Sequence, residues 1–263
     1  MNIMDIKKNL FKNVISDYEF GRPKYPEELY EEIQRFSGIG PTSEILEVGA
    51  GTGQATDLFV SHGHKVDLLE VSDEQVAYLK EKYKNYPNIA IYKDYFEEFT
   101  TNKEYDLIYS ATAFHWIKCE NGYPKAWRML RTGGTMAVFW NIFLDMNHSG
   151  GVFDELKALK KNYMPQEGDG LTLAEIKEKR INQITVGGFF NLPEYHEYRT
   201  LERYDTQRFL AYLKTYSGTL MLDDSTRTQY LQAVSDCLGH HGGSIDIPEI
   251  VSLYLMRKEG EAH

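Results

Sequence analysis

Cysteine is scarce in this sequence, and so are the long apolar runs that would cross a membrane. Only Cys119 and Cys237 occur, and neither has the spacing of a metal-ligand motif, so neither a disulfide scaffold nor a zinc site is predicted. Charged residues interrupt the first residues, where a secretory signal would need an apolar stretch. We therefore expect a cytoplasmic protein that does not insert into a bilayer.

Basic residues are also few. The 263 residues include 29 Lys and Arg against 39 Asp and Glu, which gives a formal net charge of −10. Binding a polyanion requires clustered basic side chains, so the composition argues against a nucleic-acid partner. We expect the partner to be a small molecule, and the chain to act as a monomer or a homodimer.

A glycine-rich loop after a short apolar stretch is the most informative feature of the sequence. Gly49, Gly51 and Gly53 permit a sharp turn that brings backbone N–H groups against a ligand at the start of the next helix. A dinucleotide loop has the pattern G-x-G-x-x-G, but Gln54 stands where its last glycine would be. Glu47 would repel a diphosphate and attract a cation. The loop therefore predicts S-adenosylmethionine, which carries both an ammonium and a sulfonium.

Strand and helix signals alternate along the rest of the chain. After the strand at the glycine loop, strands are predicted at 66–70, 89–92, 106–110, 135–140, 195–204 and 249–256. Helices are predicted in the first 18 residues and at 26–36, 54–62, 123–130, 152–163, 172–182, 207–216 and 225–238, with a capping box opening another at Ser72. The 123–130 helix is predicted to end at Gly133 and Gly134.

This alternation predicts an α/β fold, Rossmann-like and doubly wound, with a mostly parallel seven-stranded sheet and a helical cap. We expect one domain over 1–263. Within it we expect an N-terminal helical lid at 1–36, a cofactor-binding core at 40–141, a helical insertion at 142–190 and a helical substrate cap at 205–243.

Four motifs in order, at 47–53, 66–72, 93–96 and 105–116, resemble those of the class I S-adenosylmethionine-dependent methyltransferases. The resemblance extends well over about residues 15–145 and loosely over the C-terminal strand pair, and it implies that the last strand of the sheet is antiparallel. More narrowly, the segment 18–26 and the His115-Trp116 pair resemble the small-molecule branch that includes the trans-aconitate methyltransferases. The expected activity is therefore methyl transfer to a small acceptor, whether a carboxylate, a phenol or an amine.

The resemblance implies roles for named residues. The expected cofactor-binding residues are Arg22, Glu47, Gly49, Gly51, Gly53, Glu70, Val71, Asp94, Tyr95, Ser110 and Ala111. Glu70 would accept the ribose hydroxyls, Asp94 the adenine amine, and Arg22 would bind the methionyl carboxylate. Relatives commonly have a small residue after the Asp94 position, whereas this chain has Tyr95 and Phe96.

The expected substrate-binding residues are Tyr25, Trp116, Trp140, Asn141, Tyr216 and Ser217. His115 is the candidate general base if the acceptor must lose a proton, and otherwise forms part of the pocket wall. His240 and His241 lack a third ligand in the sequence, so a turn and no metal is predicted there. Two alternatives stay open: a catalytically silent S-adenosylmethionine-binding protein and an NAD-dependent oxidoreductase.

Overall fold

A computed structural model of the chain describes residues 14–143, 150–167 and 171–260. These residues form two compact units. One, here called the sheet unit, contains residues 24–141, 174–198 and 251–260; the other, the helical unit, contains 14–23, 142–143, 150–167, 171–173 and 199–250. Among the described helices, none combines the length and the apolar character needed to cross a bilayer.

The strands and helices carry the following labels. The strands are β1 (Ile45–Val48), β2 (Val66–Glu70), β3 (Ile89–Lys93), β4 (Tyr105–Ala111), β5 (Leu130–Phe143), β6 (Glu194–Asp205) and β7 (Ser244–Arg257). The described α-helices are α1 (Ile15–Gly21), α2 (Glu27–Ser37), α3 (Gln54–Ser61), α4 (Asp73–Lys82), α5 (Cys119–Met129), α6 (Val152–Tyr163), α7 (Leu173–Thr185), α8 (Thr206–Lys214), α9 (Ser217–Leu220) and α10 (Asp224–His240). Short 3-10 helices lie at Phe114–Trp116 and Pro165–Glu167.

The seven strands form one sheet in the order β3-β2-β1-β4-β5-β7-β6. Strand β1 pairs in parallel with β2 and β4, and β4 pairs in parallel with β5. Lys258, just past β7, exchanges hydrogen bonds of 2.9 Å with Gly133 and Gly134 near the start of β5, as antiparallel neighbours do. The predicted Rossmann-like sheet with its antiparallel last strand is confirmed.

Each unit has its own apolar core. In the sheet unit, large side chains from α2, α3 and the sheet are fully buried, among them Tyr30, Phe59 and Phe139. In the helical unit, side chains of α8 and α10 such as Phe209 and Val234 pack together. Burial on both faces explains why β1, β2 and β4 consist largely of apolar residues.

Several predicted elements need correction at their ends. Leu130 begins β5 instead of ending a helix, and Gly133 and Gly134 lie inside that strand. Gly133 has φ +79°, and the pairing of β4 with β5 shifts register between Tyr105 and Leu107, so the glycines mark a bulge. The first predicted helix is observed from Ile15 to Gly21, and its earlier positions lie outside the described residues.

Candidate active site

The glycine loop between β1 and α3 uses its three glycines for different purposes. All three have positive φ, at +77°, +59° and +82° for Gly49, Gly51 and Gly53. A Cβ on Gly49 would lie 2.6 Å from the Cβ of Ala113, and one on Gly53 would lie 2.5 Å from the Tyr83 hydroxyl oxygen. A Cβ on Gly51 would meet no atom of the described residues within 4 Å. Gly51 therefore presents bare backbone to an open space, while its two neighbours allow close packing.

Most N–H groups of this loop are already engaged within the protein, which corrects the expectation from the sequence. Four of them donate within the protein: Gly49 and Ala50 to the Leu69 carbonyl (2.8 and 3.1 Å), Gly51 to Glu70 Oε2 (2.9 Å) and Gly53 to the Ala50 carbonyl (2.8 Å). A pyrophosphate needs such donors. The loop therefore suits a ligand that lies against it without taking many amide hydrogen bonds.

Glu70 ends β2 beneath the same loop and joins the two segments. Its carboxylate accepts the N–H of Gly51 at 2.9 Å and those of Val71 and Ser72 at 2.8 Å each. The side chain is 5% exposed, and burial raises its pKa. A carboxylate has about four acceptor sites, so these three bonds leave one for a ribose hydroxyl. Glu70 thus joins β2 to the glycine loop, a structural role that the sequence did not reveal. Its role at the ribose stays a prediction.

Glu47 lies below the loop, in the interior. Its Oε2 accepts hydrogen bonds from the hydroxyls of Thr56 at 2.5 Å and Tyr109 at 2.8 Å. The side chain is 1% exposed, and burial raises its pKa to about 7. The structure thus places this carboxylate against α3 and β4, where it supports the loop from below.

At the end of β3, the two aromatic residues after Asp94 point to different environments. Phe96 is buried and packs on Phe114 with ring centroids 5.9 Å apart, whereas Tyr95 is only partly buried. Asp94 Oδ1 accepts the N–H of Tyr95 at 2.9 Å, and the Asp94 N–H donates to the Glu70 carbonyl at 3.2 Å. Asp94 is therefore held beside the end of β2, as its predicted adenine role requires.

The end of β4 contains a strained residue that sequence reasoning missed. Thr112 has φ +52°, and it is the one described non-glycine residue with positive φ. A β-branched residue in this region is a true outlier, and such strain concentrates at functional sites. Its Oγ1 is 2.9 Å from the Tyr25 hydroxyl and 3.4 Å from the Asn141 N–H. Thr112 thus brings together two of the predicted substrate-binding residues.

Ser110 and Ala111 are themselves part of the sheet. Ser110 Oγ donates to the Val48 carbonyl at 2.7 Å, and both residues pair with β5. Asn141, toward the corresponding end of β5, has a buried Oδ1 with no hydrogen-bond partner among the residues that the structure describes. A buried acceptor of this kind calls for a donor from a ligand. It fits an ammonium group such as that of S-adenosylmethionine.

His115 and Trp140 come from different strands and form a pair. The Trp140 indole Nε1–H donates to His115 Nδ1 at 3.1 Å. Because an indole nitrogen can only donate, Nδ1 must be unprotonated and the neutral ring carries its proton on Nε2. The Trp116 ring lies 5.2 Å from the His115 ring. The fourth-strand turn and the end of β5 therefore build one aromatic wall.

The helical unit holds the remaining predicted residues. Arg22 donates from Nε and Nη2 to the hydroxyl and carbonyl of Thr215, each at 2.8 Å, and stacks on the rings of Tyr18 and Tyr212 at 5.3 and 4.7 Å. Tyr216 and Ser217 follow Thr215 directly, at the junction of α8 and α9. Arg22 therefore fixes the turn that carries two predicted substrate residues.

His240 and His241 end α10, and a glycine turn follows, as predicted. The structure also supplies the third group that the sequence lacked: Glu155 Oε1 lies 2.9 Å from His241 Nε2, and the Cys237 thiol completes a cluster within 4.8 Å. Burial raises the pKa of Cys237 to about 11. This cluster joins an imidazole and a carboxylate beside a protonated thiol.

The sheet order, the glycine loop after β1 and the acid at the end of β2 together define a Rossmann-like methyltransferase fold. Residues 45–134 match the model of a family described as a methyltransferase domain. These residues thus match a methyltransferase domain, and the loop's engaged amides fit this class better than a dinucleotide enzyme.

Particular relatives agree on the class. An uncharacterized methyltransferase of Schizosaccharomyces pombe is 32% identical over 134 residues, covering 50% of this chain and 52% of the relative. A malonyl-[acyl-carrier protein] O-methyltransferase of Ilyobacter polytropus is 33% identical over 124 residues, covering 44% and 46%. Phosphoethanolamine N-methyltransferase 2 of Haemonchus contortus, solved with S-adenosyl-L-methionine, has a TM-score of 0.59 at 15% identity, covering 99% of this chain and 60% of that one. The chain spans about half the length of the curated relatives it matches.

Proposed function

We propose that the chain is an S-adenosyl-L-methionine-dependent methyltransferase that transfers a methyl group to a small acid. The open backbone at Gly51, the buried acid Glu70 beneath it and the unpartnered Asn141 Oδ1 support a site for this donor. The donor itself supplies the activated methyl group. The chain's own residues bind and align the two reactants and exclude water.

Donor binding would rest on residues at the ends of β2, β3, β4 and β5 in the sheet unit. We propose that Glu70 holds the ribose, with Val71 and Tyr95 beside the adenine and Asp94 at its amine, in keeping with their positions after β2 and β3. The backbone at the end of β4 and the side-chain oxygen Oδ1 of Asn141 would accept hydrogen bonds from the methionyl ammonium group. The role of Arg22 at the methionyl carboxylate stays a prediction from the sequence, since its Nε and Nη2 donate to Thr215 within the helical unit.

The hydrogen bond between Trp140 and His115 is the observation that favours a carboxylate as the acceptor. Its Nδ1 is occupied by the Trp140 N–H, so the neutral ring offers a proton at Nε2 instead of removing one. A phenol or an ammonium acceptor must lose a proton before it attacks, whereas a carboxylate is already ionised at neutral pH. A donor N–H therefore favours a carboxylate, which His115 would orient by hydrogen bonding.

Alignment accounts for much of the expected rate. Holding two reactants in line is worth on the order of 7 to 11 kcal/mol, so a methyl transfer to a carboxylate needs no proton-removing residue. In the proposed methyl transfer, a carboxylate oxygen forms a bond to the methyl carbon as the carbon–sulfur bond breaks, giving a methyl ester and S-adenosylhomocysteine. No proton is transferred.

The narrower resemblance to the trans-aconitate methyltransferases agrees with an acidic acceptor and is part of this proposal. The net charge of −10 favours a small partner over a nucleic acid, and we propose a monomer or homodimer.

Incubating the protein with methyl-labelled donor and separate mono-, di- and tricarboxylic acids tests the activity. We expect labelled methyl esters that mild alkali hydrolyses. Label transferred only to phenols or amines would refute the carboxylate assignment, and donor binding without transfer to any acceptor class would favour the silent binding protein.

A further inference from the structure

Arg180, on α7 in the sheet unit, is a partly buried cation with few partners. Its Nη1 donates to Gln183 Oε1 at 3.0 Å, and its guanidinium carbon lies 4.2 Å from the centre of the Trp140 ring. In the part of the chain that the structure describes, no carboxylate lies within ion-pair distance of it. Burial lowers the pKa of Arg180, and the nearby phenols of Tyr123 and Tyr254 oppose that shift.

Other arginines of the described chain have acidic partners. Arg131 pairs with Asp106 at 2.9 Å, and Arg208 pairs with Glu202 at 2.9 Å. A guanidinium has five donors, and removing it from water without an acid is costly. Arg180 therefore retains donors and charge that a bound anion would satisfy.

The surroundings of Arg180 offer further donors. Ser252 and Tyr254 are two residues apart on β7, so their side chains share one face of the sheet. Both hydroxyl groups are buried, with the side chains 1% and 0% exposed. The Ser252 hydroxyl is close enough to that of Tyr254 to lower its pKa by hydrogen bonding, and among the described residues neither hydroxyl has a further partner. The Tyr254 ring packs edge-on against Trp140 at 5.9 Å. Trp140 is thus in contact with both the cation and this hydroxyl-bearing face.

Trp140 also connects Arg180 to the proposed acceptor site. The same indole that lies against the guanidinium donates to His115 Nδ1. One side chain therefore contacts both the residue proposed to orient the acceptor and an anion-binding group.

We propose that Arg180, assisted by the hydroxyls of Ser252 and Tyr254, binds a second carboxylate of the acceptor, so that the substrate is a dicarboxylic or higher acid. This inference rests on the proposed function. The planar guanidinium of Arg180 can donate two parallel hydrogen bonds to one carboxylate. Such a contact would occupy the oxygens that a reacting carboxylate needs for its attack on the methyl group. Arg180 therefore holds the acid that is not methylated and sets specificity.

The test uses the full chain saturated with S-adenosylhomocysteine and follows the indole N–H signals of its three tryptophans by NMR. Succinate is the probe and its neutral diamide is the matched control; loss of one signal in Trp140→Phe assigns it. We expect succinate, and not the diamide, to shift the Trp140 signal to saturation. The shift should require at least tenfold more succinate in Arg180→Met and an intermediate amount in Arg180→Lys.

Arg128 provides a matched control, because it is exposed and its guanidinium carbon lies 5.7 Å from the Phe189 ring. Arg128→Met should titrate within twofold of the unchanged protein. Without ligand, Arg180→Met should raise the melting temperature, since it removes a cation that lacks an acid; a merely structural arginine would lower it on removal. No succinate response in the unchanged protein, or the same response in Arg180→Met, overturns the inference. Failure of S-adenosylhomocysteine to bind would instead refute the proposed function.

Discussion

Replacing Glu70 tests whether this carboxylate joins β2 to the glycine loop. In Glu70→Ala, the amides of Gly51, Val71 and Ser72 lose acceptors at 2.9, 2.8 and 2.8 Å. Hydrogen bonds to a charged group contribute about 1.5 to 3 kcal/mol each, and water entering the vacated space recovers part, so we expect a loss of about 3 to 5 kcal/mol. At about 2 to 4 °C per kcal/mol for a chain of this size, the melting temperature should fall by about 6 to 20 °C.

Glu70→Gln is the matched control. It keeps an oxygen for the Val71 and Ser72 amides but turns an NH2 group toward the Gly51 N–H, so we expect a loss of about 1 to 3 kcal/mol. Urea unfolding of both variants, followed by circular dichroism, measures these changes. A loss below about 1 kcal/mol in Glu70→Ala would refute the structural role, whatever its effect on donor affinity.

Three further predictions concern the same site. Burial raises the pKa of Glu47 from 4.5 to about 7, so the native state holds its proton more tightly than the unfolded chain. The contribution of Glu47 to stability should be greatest below about pH 4.5 and fall by about 3 kcal/mol as pH rises to above 7. Urea unfolding of Glu47→Gln should lack this decline, and an equal decline would contradict it. Gly51→Ala should weaken S-adenosylhomocysteine binding more than it lowers the melting temperature. Gly53→Ala should do the reverse, because its Cβ would lie 2.5 Å from the Tyr83 hydroxyl oxygen. Equal effects of the two variants on both measurements would argue against an open face at Gly51. In Trp140→Phe the His115 ring loses its donor, so turnover should become pH-dependent near neutrality while donor affinity is kept; an unchanged pH profile would count against the pairing.

Local pattern was sufficient for much of the fold. The strand at 66–70 and the helix at 152–163 have the predicted bounds, and Ser72 caps α4 by accepting the Gln75 N–H at 3.5 Å. These elements follow from short-range periodicity and capping, which the sequence states directly. The predicted end of α5 was wrong, because the sequence alone does not distinguish a glycine in a β-bulge from a glycine that ends a helix.

The site was harder to predict, because its contacts join distant segments. The engaged amides of the glycine loop depend on β2, and the His115–Trp140 bond joins residues 25 apart. Arg180 did leave a signal, since it falls four residues after Ile176 and four before Ile184, on what would be an apolar stripe. A cation at such a position has to be explained by a partner or a ligand.

The most direct test of the donor assignment is isothermal titration calorimetry of the unchanged protein with S-adenosylhomocysteine and, separately, with NAD. We predict one S-adenosylhomocysteine bound per chain and no heat from NAD. Binding of NAD in place of S-adenosylhomocysteine, or of neither, would contradict the account.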